Sequence, residues 1–96
     1  MGGCNSSGVL TATKVVNNGR CRIASVRVAT TGNTAGSISV YDSATATTSA
    51  KKEITRMYVG ASADVHNHEF DMHGTIAAEG VYVVVTGTIA YSVEFY

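Results

Sequence analysis

Residues 80–96 constrain the fold more than any other stretch of this sequence. They form two β-rich runs, 81–85 and 89–96, which Thr86-Gly87-Thr88 separates. The first run is apolar on both faces, so we predict a central strand that is covered on both sides. The second run alternates, as a strand with one buried face requires, and its apolar members are Ile89, Tyr91, Val93 and Phe95. Because Gly87 supplies the positive φ of a tight turn, we predict that the two runs form a hairpin covered by the rest of the chain.

Earlier parts of the sequence contain further strand patterns separated by turn-forming residues. The strongest turn signal is Asn17-Asn18-Gly19, because Asn-Gly favours positive φ. The apolar phase that follows slips between Ile23 and Val26, which predicts a β-bulge near Ala24 and Ser25. The predicted strands comprise residues 9–16, 20–30, 37–42, 51–59 and 64–72, with a connection at 74–80.

One of these strands has the features of a sheet edge. The run at 51–59 contains Lys51, Lys52 and Arg56, and such charges discourage unwanted pairing at an edge. The residues just before it, 43–50, are only Ser, Ala and Thr, which predicts an exposed and adaptable loop.

Composition agrees with an all-β fold. The chain has 96 residues, which is one domain, and it contains no proline and ten glycines. Val and Thr are frequent, as in strands, whereas residues that favour helices are scarce. We therefore predict an all-β, single-domain β-sandwich, jelly-roll-like, with about seven antiparallel strands.

The charge balance limits the partners. The formal net charge is zero and only 15% of the residues are charged. A polyanion would need a basic field, so we predict that the protein does not bind nucleic acid. A surface with so few charges keeps monomers apart poorly, and we predict permanent protein contacts in a homo-oligomer.

Residues 1–8 are small and polar, and we predict a flexible N-terminal arm before a domain at 9–96. The arm matches the short myristoylation pattern at Gly2, but no basic cluster follows it, so no membrane contact is predicted. Cys4 falls in this arm and Cys21 at the start of a strand. We predict two reduced thiols, and one bridge between them is the alternative.

The sequence resembles a recurrent type of tailed-phage protein. The resemblance lies in Gly36-Ser37-Ile38-Ser39-Val40-Tyr41-Asp42 with its Ser/Thr/Ala loop, and again in residues 80–96. These proteins are small β-sandwich virion accessories, typified by capsid decoration (cement) proteins. The resemblance implies an oligomer, commonly a trimer, seated on a lattice of the major capsid protein. Head–tail and tail accessory proteins resemble the sequence in the same way. No functional side chain follows from the resemblance, because these proteins act through surfaces.

Three histidines form the only pattern that suggests chemistry. His66 and His68 would project from one strand face, and His73 would follow from the next turn, so the three imidazoles could hold a metal ion. The spacing from Gly60 to Gly80 is similar to the first cupin motif, but His73 stands where that family has Glu, and no histidine follows it. A cupin-like metal-binding protein is therefore an alternative, and we predict no metal or cofactor.

The other polar residues do not form a catalytic pattern. Asp42 and Asp71 fall in separate strands, and we predict that both are solvated at turns and strand ends. Core and interface packing is predicted for the tyrosines, and a sugar-binding platform is the alternative: Tyr41, Tyr58, Tyr82, Tyr91 and Tyr96. We predict a non-enzymatic structural protein that stabilises a phage head from the capsid surface and otherwise occupies the cytoplasm of the infected cell.

Overall fold

The computed structural model describes residues 5–30, 36–59, 67–87 and 89–96. Within these ranges the chain forms eight strands and no helix, so none that could cross a bilayer. The strands are β1 (Asn5–Ser6), β2 (Lys14–Asn18), β3 (Cys21–Thr30), β4 (Gly36–Asp42), β5 (Lys52–Val59), β6 (Asn67–Ala77), β7 (Gly80–Thr86) and β8 (Ile89–Phe95).

The strands form two antiparallel four-stranded sheets. The first sheet has the order β1-β8-β3-β6 and the second has the order β2-β7-β4-β5. Only β4 and β5 are neighbours both along the chain and in a sheet; every other connection passes from one sheet to the other. This strand order is that of a jelly roll. It confirms the predicted all-β sandwich, with eight strands in place of about seven.

The core lies between the two sheets. It is built from inward-facing residues of both, because successive side chains of a strand point to opposite faces. The alternation predicted for the last run is confirmed, since Ile89, Tyr91 and Val93 are at most 2% exposed. The buried apolar residues are Cys21, Ile23, Val26, Val28, Ile38, Val40, Met57, Ala77, Val81, Val83, Ile89, Tyr91 and Val93.

The bulge predicted in the third strand is confirmed. The register of β3 shifts between Ile23 and Ser25 on both of its neighbours, β6 and β8. Opposite this shift, β6 contains His73 and Gly74 with positive φ values of 53° and 75°. The strand resumes after them and runs to Ala77, so the predicted strand end at residue 72 is wrong. His73 and Gly74 interrupt the regular conformation of β6, but its pairing with β3 continues after them.

The predicted hairpin at 80–96 is wrong. β7 pairs with β2 and β4, whereas β8 pairs with β1 and β3, so the two strands belong to different sheets. Gly87 has a positive φ of 79°, as expected, but its turn leads across the sandwich. β7 is central, as predicted, but only one of its faces is covered: Val81 and Val83 are fully buried, while Tyr82 is only half-buried.

The first strands also differ from the prediction. β1 consists of Asn5 and Ser6, which pair with Phe95 and Glu94, so part of the segment expected to be a free arm adds a strand to the first sheet. The strand predicted at 9–16 begins only at Lys14. Residues 1–4 lie outside the described residues. β5 lies at the edge of the second sheet, as its charges predicted.

Candidate interaction surfaces

Two broad outer faces carry most of the side chains that the core does not use. The Cα atoms occupy a slab of 38 × 34 × 18 Å, which is two sheets thick. We name the outer surface of the first sheet face one and that of the second sheet face two. The candidate functional residues lie on these faces and in the loops at one end of the slab.

An ion cluster lies in the middle of face one. Arg27 Nε is 2.6 Å from Glu69 Oε2, and Arg27 Nη2 is 3.1 Å from Glu94 Oε1. Ser25 Oγ donates to the same Glu94 oxygen at 3.2 Å. The hydrogen bond that Arg27 donates to Glu69 is the main reason that the pKa of Arg27 is raised. One guanidinium therefore connects β6 with β8 across β3.

A cleft of about 390 Å³ opens beside this cluster. Its floor exists because small side chains, Ala29, Ala90 and Ser92, occupy neighbouring outward positions of β3 and β8. Val9 forms one wall, with 77% of its surface exposed, and Arg27 and Glu69 form the polar side. A cleft of this kind can receive one side chain of a partner protein.

Exposed apolar surface lies at the other end of face one. Arg22 pairs with Ile76 on β6, and its backbone exchanges two hydrogen bonds with Tyr96 at 2.7 and 2.9 Å. Ile76 is 42% exposed and Tyr96 is 54% exposed. The Tyr96 ring lies over Gly74, where an added Cβ would be 2.6 Å from the tyrosine oxygen. A side chain at Gly74 would therefore displace the Tyr96 phenol oxygen.

Three tyrosines lie on face two. Tyr41 and Tyr82 are cross-strand partners, and their ring centroids are 6.5 Å apart with 41° between the ring planes. Tyr58 lies on the edge strand β5 and is 74% exposed. Tyr91 belongs to the core and Tyr96 to face one. The prediction of core packing is thus confirmed for Tyr91, and the other four tyrosines lie on outer faces.

A charged pair lies between Tyr41 and Tyr58. Arg56 Nε and Nη2 donate to the two carboxylate oxygens of Glu53 at 2.8 and 2.7 Å, and Nη1 donates to Tyr58 Oη at 3.3 Å. Glu53 and Arg56 are three positions apart in the sequence. Both lie on face two because the β4–β5 register skips Ile54. The forked contact raises the pKa of Arg56 and lowers that of Glu53.

A carboxylate fastens the loops at one end of the slab. Asp42 Oδ1 accepts the backbone N–H groups of Glu79 at 2.7 Å and Gly80 at 3.3 Å, and Oδ2 accepts that of Ala78 at 3.1 Å. Burial acts to raise the pKa of Asp42, but the three backbone donors and Lys52 together hold it below its ordinary value. The sequence predicts that Asp42 is solvated at a strand end. In the structure, three backbone N–H groups bind its carboxylate instead.

The loop at 43–50 begins at this same point. Its first residue, Ser43, is fully buried, and its hydroxyl donates to the Thr45 carbonyl at 2.7 Å. At the far end of the loop, Lys51 Nζ is 2.6 Å from Glu79 Oε1. The residues between include exposed Thr45, Ala46 and Thr48. The predicted loop is confirmed, and both of its ends are held against the β6–β7 turn.

The three histidines are not brought together by any described contact. His66 and the side chain of His68 lie outside the described residues. His73 lies in the β6 irregularity, 84% exposed, and its backbone N–H donates to Asp71 Oδ1 at 2.8 Å. Among the described residues, no three His, Cys, Asp or Glu side chains lie close enough together to hold a metal ion. The three-histidine site stays a prediction.

Cys21 is a free, buried thiol, while Cys4 lies outside the described residues. Burial raises the pKa of the Cys21 thiol, and a hydrogen bond with Asn17 offsets part of this effect. The thiol therefore packs as a small core residue and has no position from which to act as a nucleophile.

Sequence reasoning missed both the Arg27 cluster and the Asp42 contact. Arg27 and Glu69 are 42 positions apart, and Asp42 and Glu79 are 37 apart, so neither pair has a local sequence signal. Comparisons of the chain with protein-family models, with curated proteins and with solved structures found no match.

Proposed function

We propose that this protein is a structural virion protein that binds the major capsid protein of a phage head and reinforces the head. The observation that carries the proposal is the jelly-roll strand order β1-β8-β3-β6 and β2-β7-β4-β5. Viral capsid domains are among the main users of this fold. Proteins of one fold differ in function, and the surface side chains determine what a jelly roll binds.

Face one is the surface that we assign to the capsid protein. A slab of 38 by 34 Å offers more than the about 800 Å² that one partner contributes to a standard interface. Exposed apolar groups occur at both ends of the face, at Val9 and at Ile76 with Tyr96. The ion cluster around Arg27 lies between them and would fix the orientation of the partner, since paired charges contribute specificity more than affinity.

The described ionisable groups support a binding role over a catalytic one. Perturbed pKa values often mark functional sites, and among the residues that the structure describes each perturbed group has a structural explanation. Asp42 is held by backbone donors, and Cys21 and Tyr91 are shifted mainly by burial in the core. Arg56 and Glu53 neutralise each other on an exposed face.

The proposed assembly is a trimer on the capsid surface. The loop at 43–50 and the N-terminal arm, residues 1–8, would contact neighbouring capsid subunits. Removal of residues 1–8 is an unsuitable test of this arm, because Ser7 also binds β8: its N–H donates to the Val93 carbonyl at 2.9 Å, and its hydroxyl accepts the Val93 N–H at 2.8 Å. Removal of residues 1–4 leaves these contacts intact.

The test is a capsid-binding assay with the major capsid protein encoded in the same genome as this chain. Purified protein is mixed with assembled heads, the particles are sedimented, and the bound chain is quantified. The test variant is Ser92→Trp, which fills the cleft on face one. Its matched control is Ser39→Trp, which puts the same side chain on a central strand of face two.

We expect saturable binding by the wild type and by Ser39→Trp, and at least about tenfold weaker binding by Ser92→Trp. Circular dichroism and thermal unfolding verify that both variants are folded. Light scattering gives the mass of the free protein, and a trimer is expected. Wild-type protein that does not bind heads but joins isolated tails would overturn the capsid assignment in favour of a tail accessory role. Equal binding by the two variants would overturn the assignment of face one.

A further inference from the structure

We propose that face two is a binding surface for uncharged oligosaccharides. The site consists of three cross-strand rows on β7, β4 and β5. The rows are Tyr82-Tyr41-Glu53, then Val84-Ser39-Arg56, then Thr86-Ser37-Tyr58. This inference goes beyond a capsid-binding role and does not depend on it, because it uses the opposite face of the slab.

The aromatic groups are placed at both ends of the site. Tyr41 and Tyr82 form the first row, and Tyr58 belongs to the third. Alternate residues of a strand are about 6.8 Å apart, so the first and third rows are separated by about 14 Å. Sugar rings present C–H groups on their faces, and these pack on tyrosine rings while the phenol oxygen stays in water. A ligand that lies along the strands would meet aromatic rings at each end.

Fixed polar groups fill the space between the rings. Both carboxylate oxygens of Glu53 hold Arg56, and Tyr58 accepts a further bond from the guanidinium, so the position of this cation is determined before any ligand binds. Sugar hydroxyls both donate and accept hydrogen bonds. They need partners that are already oriented, because ordering long side chains upon binding reduces affinity.

Hydroxyl groups extend the polar centre toward β7. Ser37 Oγ and Thr86 Oγ1 are 2.6 Å apart and share one hydrogen bond, in which either oxygen can donate. Ser39 lies in the central row opposite Arg56, and after Arg56 it contributes to lowering the pKa of the Glu53 carboxyl. Each hydroxyl keeps lone pairs that can accept from a sugar.

The charge and polarity of this face favour a neutral saccharide over other ligands. Glu53 and Arg56 are the only ionised groups of the three rows, and they neutralise each other. A polyanion such as nucleic acid or a sulfated glycan needs an uncompensated basic surface. In the central row, the polar Ser39 and Arg56 suit the hydroxyl groups of a sugar, and Val84 adds one apolar side chain.

The experiment begins with a glycan array that contains neutral, sialylated and sulfated oligosaccharides, probed with the wild-type domain. The neutral oligosaccharide that binds best is then titrated by calorimetry. Amide chemical shifts of labelled protein are recorded in the same titration. The test variants are Tyr58→Ala and Ser39→Trp, and the matched control is Tyr96→Ala, which removes an exposed tyrosine from face one.

We expect a neutral oligosaccharide to bind the wild type, with shift changes concentrated on β4, β5 and β7. Tyr58→Ala should raise Kd by about tenfold, and Ser39→Trp should abolish binding because the indole covers the central row. Tyr96→Ala should leave Kd within about twofold. Tyr58 is 74% exposed, so its removal should not unfold the domain, and thermal unfolding verifies this.

Three results would overturn the proposal: no neutral glycan binding, binding to acidic glycans alone, or equal Kd values for wild type and Tyr58→Ala. The outcome is separate from that of the capsid assay, because Ser92→Trp should bind the glycan normally. Loss of capsid binding with retained glycan binding, or the reverse, shows which of the two proposals fails.

Discussion

The buried Tyr91 side chain donates its hydroxyl proton to the carbonyl oxygen of Ala12 at 2.7 Å. Tyr91 lies in the middle of β8, and its backbone also exchanges two hydrogen bonds with Leu10, at 2.7 and 2.8 Å. One core residue thus fixes the segment between β1 and β2, which has little regular structure. This segment includes Val9, the apolar wall of the cleft on face one.

Substitution of Tyr91 by Phe should release this segment while leaving the core filled. The change removes the bond to Ala12 and should lower the free energy of unfolding by about 1 kcal/mol. Urea unfolding measures the loss, and faster amide exchange at Leu10 locates it. Tyr82→Phe, which removes a hydroxyl from face two, serves as the control and should change stability by less than about 0.5 kcal/mol. Equal losses in the two variants would contradict a specific anchoring role.

Tyr91 should also make stability depend on alkaline pH. Burial raises the pKa of Tyr91 to about 12, above its ordinary value of 10.0. Because the folded state favours the protonated phenol, this contribution is fully present below pH about 10 and is lost as the pH rises toward about 12. Ultraviolet titration should show one tyrosine that ionises last, and Tyr91→Phe should lack it. A Tyr91→Phe titration that still contained this late step would contradict the assignment.

Asp42 should be the carboxylate on which acid stability depends most. Asp42→Asn loses the charge and one of the two acceptor oxygens at the β6–β7 turn, and the expected cost at pH 7 is about 2 kcal/mol. Asp71→Asn is the control, since Asp71 accepts one backbone bond and is 69% exposed. Chemical unfolding at neutral pH should show a clearly larger loss for Asp42→Asn than for the control.

The acid dependence of this contribution has a defined sign. Since the folded-state pKa of Asp42 lies below its ordinary value of 3.8, the stabilisation is present above that value. It is lost as the pH falls through the folded-state pKa. Unfolding measured from pH 7 to pH 2 should therefore show the wild type and Asp42→Asn converging in acid. A constant difference between them over this range would be inconsistent with the bonds to residues 78–80.

Gly80 should tolerate no side chain, although its φ is not positive. A Cβ at this position would lie 2.5 Å from the Asn17 carbonyl oxygen and 2.9 Å from that of Ser43. Both obstacles are backbone atoms, so we expect Gly80→Ala to cost more than about 2 kcal/mol. The control is Gly8→Ala, which has a φ of +72° and no atom within 4 Å, and should cost only about 1 kcal/mol of backbone strain. Thermal and urea unfolding compare them, and the reverse order would refute the packing argument.

Cys21 should be chemically inert in the folded protein. Cys21 is 7% exposed and burial raises the pKa of its thiol, so both access and thiolate fraction are low. In a Cys4→Ser background, alkylation by iodoacetamide at pH 8 should be at least about a hundredfold slower in buffer than in 8 M urea. Similar rates in the two solvents would show that this end of β3 opens readily.

Periodicity predicted which residues face the core but not which sheet each strand joins. The inward positions of β8 and the bulge beside Ala24 were both predictable, because they depend on the apolar phase within one strand. The predicted hairpin at 80–96 failed because β7 and β8 each present one apolar face, and such a face fits either sheet. A glycine with positive φ, as at Gly87, serves a turn within a sheet and a turn between sheets equally well.

The surfaces were less predictable than the core. Tyrosine was expected mainly in packing, and only the register of β4 with β5 and β7 places Tyr41, Tyr58 and Tyr82 on one face. The β4–β5 register skips Ile54, and this places Glu53 and Arg56 on the same face. No local sequence pattern indicates this irregularity. β1 was missed because Asn5 and Ser6 are polar and have no alternation to detect.

The position of the two last strands determines when the chain can fold. β8 lies between β1 and β3, and β7 lies between β2 and β4, so each sheet is split until residues 80–96 are in place. On the ribosome, the emerging chain can pair β4 with β5 and β3 with β6 but cannot close either sheet. Folding rates fall as pairing partners become more distant in sequence, and we expect refolding in milliseconds to seconds. Before closure, the apolar strands β3 and β4 each keep one unpaired edge that is open to aggregation, so added chaperone should raise the soluble yield.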